Sequence, residues 1–192
     1  MINFDLNKVE PDTEAPRREF GIIPHDTIVR AVINIKRGNN VEEDPCLTKY
    51  SSGSIGLEVM WKICDAEDHN MLGQAVWGKF FFTEKTSQRS LGNILRIIED
   101  HYDISPDDTS ELAKSKRDIT KTGLVALEGL EACIRVEVEE SEGYPDKNMV
   151  WTVLSKKDKG YRAKGGSTAP KASEASQIAQ APATDINAEW LT

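Results

Sequence analysis

The chain has 192 residues, with 24 Lys and Arg against 32 Asp and Glu and a net charge of −8; that is room for one domain with appendages and not the charge of a duplex-DNA binder. No apolar run is long enough to span a membrane and no basic-then-apolar leader opens the chain, so it is expected to stay in the cytoplasm where it is made. Cys46, Cys64 and Cys133 lack C-x-x-C spacing and His25, His69 and His101 are scattered, which argues for a reducing compartment and against both a disulfide framework and a metal site.

Residues 1–26 read as an irregular segment, with Pro11, Pro16 and Pro24 among many charges. "TIVRAVINIKRG" then alternates as a first strand, with Val29, Ala31, Ile33 and Ile35 on one face and Arg30, Asn34 and Lys36 on the other. A long turn-rich loop carries Lys49 and Tyr50. "LEVMWKICDA" is a second strand, with Leu57, Val59, Trp61 and Ile63 opposite Met60, Lys62 and Cys64. "GQAVWGKFFFT" is a third strand with aromatics on both faces. In "SQRSLGNILRIIEDHY" the period changes: Leu91, Ile94, Leu95, Ile98 and Tyr102 predict an amphipathic helix entered through Thr86 or Ser87 and ended before Pro106. A short second helix capped by Ser105 is expected next. "ACIRVEVEE" and "MVWTVLSKK" are strands four and five, joined by the turn-like "SEGYPDKN". From Lys159 on, the composition shifts to Gly, Ala, Ser, Pro and Gln, which cannot bury enough apolar surface to order.

The expected fold is therefore mainly β: a five-stranded OB-fold-like barrel (β-β-β-α-β-β) over residues 27–158, with residues 159–192 as a disordered C-terminal tail. The same order of elements also fits an open α+β sandwich.

The barrel reading assigns the two faces of strand three. Val76, Gly78, Phe80 and Phe82 fill the interior, while Trp77, Lys79 and Phe81 face outward. In an OB barrel the outer surface of strands two and three carries ligands. Single-stranded nucleic acids use such surfaces by stacking bases on aromatic rings while Lys and Arg follow the phosphates. Candidate stacking residues are Trp77 and Phe81, with Tyr50 and Trp151. Candidate phosphate contacts are Lys62, Lys79, Arg30, Lys36 and Lys49, with Lys156 and Lys157 at the barrel exit. Each has a plainer role open to it, as core aromatic or as solvated charge.

Charge is unevenly spread. Residues 1–155 carry 18 Lys and Arg against 28 Asp and Glu, a net of −10, while residues 156–171 carry 6 basic and 1 acidic, a net of +5. A local basic groove on an acidic body is compatible with these totals. No Gly-rich phosphate loop, nucleophile elbow or H-E-x-x-H occurs. The acidic groups at 65–68, 99–103 and 137–140 read as solvated surface. A metal-dependent nuclease wants a second acid on the strand after Pro145-Asp146, and "MVWTVLSKK" has none. The expectation is no enzyme, no cofactor and no metal.

Several blocks carry a resemblance: "FGIIPHDTIVRAVINIKRG", "YSSGSIGLEVMWKICDAEDHNMLGQAVWGKFFF", "SLGNILRII" and "LEGLEACIRVEVEESEGYPDKNMV", of which Gly143–Asn148 is the most specific. Over about residues 20–155, the chain resembles a family of phage-encoded proteins of replication and recombination modules that look like OB-fold single-stranded DNA-binding proteins. The resemblance implies a non-catalytic protein in the host bacterial cytoplasm that coats single-stranded DNA during replication or recombination, with no catalytic residues to carry over. A homo-oligomer is left open. The alternative is an acidic OB-fold module that binds a protein partner without touching DNA. The tail ends "TDINAEWLT", and Asp185, Ile186, Glu189, Trp190 and Leu191 form an acidic, apolar tip. It is similar in kind to the tips by which bacterial single-strand-binding proteins recruit replication partners; an inert spacer is the other reading.

Overall fold

The computed structural model describes residues 20–39, 42 and 44–165. Alternating apolar residues form the expected strands: β1 (Thr27–Ile35), β3 (Ile55–Asp65), β4 (Ala75–Phe81), β5 (Glu131–Ser141) and β6 (Tyr144–Val153). A three-residue strand, β2 (Leu47–Lys49), pairs with the start of β3 inside the long first loop and was not expected. Two helices, α1 (Ser87–His101) and α2 (Glu111–Arg117), lie between β4 and β5.

The sheet closes on itself. β1 pairs antiparallel with both β3 and β5, β3 with β4, and β5 with β6. The ring is completed by a short parallel contact between β4 and β6, Trp77 with Met149 and Gly78 with Val150. A helix between the third and fourth barrel strands and a parallel closing pair make this an OB-fold-like barrel, with β2 as an extra edge hairpin. An open sandwich is excluded by the continuous ring of pairings.

The interior is filled by Val29, Ala31, Ile33, Leu57, Val59, Trp61, Val76, Phe80, Ile134, Val136, Val150 and Val153. Trp61 is the largest of them, and Gly78 is small because of it. A Cβ on Gly78 would stand 2.9 Å from Trp61 Nε1, 3.1 Å from Val150 O and 3.1 Å from Val59 Cγ2. Helix α1 lies against the barrel with Ile94, Ile97 and Ile98 in the core. Its polar residues are also buried: Asn93 donates to Trp151 O at 3.1 Å and accepts from Val153 N at 3.3 Å, and Asp100 accepts from Cys133 N at 2.7 Å.

Those anchors rotate the helix away from the face read in the sequence, and Leu91, Leu95 and Tyr102 are exposed. The second helix starts later than expected: Ser110, not Ser105, is its cap, and its side chain accepts from Ala113 N at 3.2 Å. The domain also extends beyond residues 27–158 at both ends. Ile23 is buried in the core, with its N–H donating to Asn148 Oδ1 and its carbonyl accepting from Asn148 Nδ2, each at 2.8 Å. Residues 159–165, read as tail, fold back: Tyr161 donates to Asp100, and Arg162 Nη2 reaches Asp65 Oδ1 at 3.1 Å. Two anchoring side chains outweigh the Gly-rich composition there. Residues 166–192, with the tip at Asp185, Ile186, Glu189, Trp190 and Leu191, lie outside the described residues. No helix among the described residues is long and apolar enough to cross a membrane.

Candidate functional site

Side-chain alternation on β3 and β4 builds the outer face. With Leu57, Val59, Trp61 and Ile63 turned into the barrel, Glu58, Met60 and Lys62 face out; with Val76, Gly78 and Phe80 inside, Trp77, Lys79 and Phe81 face out. The register sets Lys62 beside Ala75, Met60 beside Trp77, Glu58 beside Lys79 and Gly56 beside Phe81. The aromatics on the second face of β4 are thus not core. Trp77 is 49 % exposed. Its parallel partner Met149 is buried yet stands outside the core cluster, so Trp77 lies on an apolar outer floor formed by Met60 and Met149.

Phe81 is half-buried because Tyr50 closes over it. Their ring centroids are 5.6 Å apart with planes at 50°. Gly56 makes room beneath them: a Cβ there would meet Phe81 Cδ1 and Tyr50 Cε2 at 3.2 Å each. Tyr50 is positioned by the loop after β2, where its N–H donates to Ser54 O at 2.9 Å. Lys79 Nζ stands 5.5 Å from the Tyr50 ring centroid, within cation–π range. Lys36, just past β1, reaches the same place and donates to Glu58 Oε2 at 2.8 Å, while Tyr50 Oη donates to Glu58 Oε1 at 2.8 Å. The Lys36 hydrogen bond, helped by Tyr50 and Lys79, holds the Glu58 carboxyl below the usual range against the opposing effect of burial. Burial, then the neighbouring Glu58, pushes the Tyr50 phenol up.

Six of the sequence-derived residues therefore converge: Trp77, Lys79, Phe81, Lys62, Lys36 and Tyr50. Lys49 is on the rim, exposed on β2, with its backbone N–H donating to Asn39 Oδ1 at 2.7 Å. Trp151 is half-buried at a β-bulge, with its carbonyl held by Asn93.

Arg30 does not belong to this surface. It is 0 % exposed, with Nε on Glu131 Oε1 at 2.5 Å, Nη2 3.2 Å from Asp100 Oδ2, and Nη1 donating to Arg162 O at 2.5 Å. Alternation correctly put it outside the barrel wall, but the end of α1 and the returning exit segment cover that stretch of β1. Burial opposes its charge, and Glu131 and Asp100 more than compensate, leaving the guanidinium firmly protonated. Lys156 and Lys157 are also displaced from the expected role. They pair with Asp103 and, at 2.9 Å, with Asp107, at the connection between α1 and α2.

The central residue missed in the sequence is Glu58, whose signal was available, since alternation sets it outward beside Lys79. The far end of the β5–β6 hairpin presents Tyr144, exposed, and Lys147, 3.0 Å from Glu139. Chemically the face offers exposed aromatic surface flanked by three lysines. No protein-family model matches the chain, and no curated protein sequence matches it significantly.

Proposed function

We propose that the chain is a non-catalytic single-stranded DNA-binding protein, of the kind that coats DNA in phage replication or recombination. The reading rests on one observation: the outer face of β3–β4 joins half-exposed Trp77 to the Tyr50–Phe81 pair, with Lys36, Lys62 and Lys79 around them. Stacked bases and phosphate contacts need those groups in that arrangement. Duplex bases cannot reach such a platform without unstacking, so the single strand is the preferred form. Lys49 at the rim, and Trp151 and Tyr144 nearer the β5–β6 hairpin, are candidates for extending the track. The tip at residues 185–191 is the candidate for recruiting replication or recombination proteins.

The alternative, a protein-interaction barrel, draws on the acidic total of −8 and on Glu58 standing among the lysines. Tryptophan fluorescence separates the two. Oligothymidylate should quench wild-type emission, and Trp77→Phe should remove the share of that quench carried by Trp77, 49 % exposed, while Trp61, fully buried, contributes none. Unchanged wild-type emission at saturating oligonucleotide, with no binding by anisotropy, would favour the alternative.

A further inference from the structure

Glu58 occupies the middle of the proposed interface. Its side chain is 12 % exposed, and Oε1 lies 3.6 Å from Lys79 Nζ in addition to the 2.8 Å bonds from Tyr50 and Lys36. It has no part in the barrel interior, because its neighbours Leu57 and Val59 take those positions. A carboxylate here opposes any polyanion that approaches. Yet it is the group that holds Lys36, Lys79 and Tyr50 together, with the Lys79 ammonium over the Tyr50 ring and that ring against Phe81.

We infer that Glu58 is an internal stand-in for phosphate: in the free protein it occupies Lys36 and Lys79 and keeps Tyr50 in place, and a phosphate of the bound strand takes over the two ammonium groups. The inference rests on the nucleic-acid reading of this face and adds its regulation. In most basic grooves each lysine that neutralises a phosphate releases a cation condensed on the strand, and that release drives binding and steepens its salt dependence. Here the single carboxylate of Glu58, shared by Lys36 and Lys79, already offsets one of their two positive charges from within. Binding exchanges one carboxylate for one phosphate and releases fewer ions. The wild type is therefore a weaker and less salt-sensitive binder than its lysines imply. It also resists sites that offer phosphate but no base to stack, because stacking must offset the displaced carboxylate.

The variant Glu58→Gln keeps the shape and can still accept the Tyr50 hydroxyl, but it frees the lysines. The full chain, its E58Q form, and E58Q combined with Lys36→Met and Lys79→Met are titrated with oligothymidylate and with linear inorganic polyphosphate over a series of salt concentrations. Exposed ion pairs are individually weak, so E58Q should bind polyphosphate about 10-fold more tightly at low salt, with a log–log salt slope steeper by about 1. The gain should vanish in the form lacking both lysines. Equal polyphosphate affinity in wild type and E58Q, or an equal gain without the lysines, would overturn the inference. So would a loss of oligothymidylate affinity in E58Q, which would make Glu58 a base-contacting group. A polyphosphate gain with no oligothymidylate binding by either protein upholds the exchange and overturns only the nucleic-acid reading.

Discussion

Truncating Trp77 to alanine tests whether the second aromatic face of β4 is a platform or a misplaced piece of core. Aromatic side chains bury roughly 150–250 Å² when fully enclosed, and Trp77 remains 49 % exposed. Alanine therefore forfeits on the order of 100 Å² of apolar contact, mostly against Met60 and Met149. At about 25 cal/mol/Å², discounted for a compact unfolded state, that is about 1–2 kcal/mol. In a chain of this size the melting temperature should fall by about 2–8 °C. A buried tryptophan would instead cost about 3–5 kcal/mol. One stacked base is worth about 1–3 kcal/mol, so affinity for oligothymidylate should fall by about 5- to 150-fold. The assay pairs thermal unfolding by circular dichroism with an anisotropy titration at fixed salt. The two readouts must move separately: a small thermal shift with a large affinity loss. A collapse of the melting temperature with normal affinity in the folded fraction would show that Trp77 supports the barrel and that the platform reading is wrong.

Gly78→Ala should lower stability by about 1–3 kcal/mol through overpacking against Trp61 and Val150 O, measured by urea unfolding; a neutral outcome would mean the barrel interior yields more easily than its contacts indicate. Arg30→Met should lower stability by about 3–5 kcal/mol, because Asp100 and Glu131 lose their buried partner, and adding Asp100→Asn and Glu131→Gln should restore part of it. Had Arg30 been a phosphate contact, the same change would cut affinity at constant melting temperature. Acid should destabilise the fold through carboxylates held low in the native state. The partly buried ones are Glu58, bonded first by Lys36; Asp44, where burial is outweighed by the Cys46 and Leu124 N–H groups; and Asp158, bonded by Ser155 N. Their contribution is fully present above the ordinary carboxylate range of about 4 to 4.5 and is lost as pH falls through the lower folded values. A melting-temperature series toward about pH 3 should show this decline, less steep in E58Q, and a curve unaffected by that variant would remove Glu58 from the account.

What could be read from the chain was whatever local alternation decides. Val76, Gly78 and Phe80 against Trp77, Lys79 and Phe81 is a period-2 statement, and the pleat enforces it wherever the strand sits. The helix over 87–101 was likewise legible from its period. Its buried face was not, because Asn93 and Asp100 are polar and become inward residues only when β6 and β5 supply backbone groups for them to bond. Arg30 failed for the same reason: its outward position was correct, but its cover comes from Asp100, Tyr161 and Arg162, 70 or more residues away in the chain. Composition hid the two anchors at 161 and 162 among glycines and small residues. The three residues of β2 carry too little pattern to stand out from a loop and exist as a strand only because β3 pairs with them.

The acidic total and the proposed polyanion-binding face are reconciled by where the charges go. The base-rich exit segment looked like a second phosphate track, yet Arg162 is taken by Asp65, Lys156 by Asp103 and Lys157 by Asp107. Arg30 is taken by Asp100 and Glu131, and Arg117 by Glu99, at 2.8 Å. Much of the positive charge around α1 and α2 is therefore spent within the protein. On β3–β4 the balance differs. Lys36 and Lys79 share the Glu58 carboxylate while Lys62 stands farther along the same face beside Ala75, a formal net of +2 among these four, around exposed aromatic rings. At physiological salt, charges farther than about 8 Å contribute little to the field a ligand meets. The local +2 then governs close contact while the body's excess of acids governs approach. A wide, doubly charged duplex meets mostly the latter. A single strand lying along one pair of β-strands meets the former, and only its unpaired bases can use Trp77 and the Tyr50–Phe81 pair. Under the proposed single-strand reading, the charge pattern and the aromatic platform favour the same ligand.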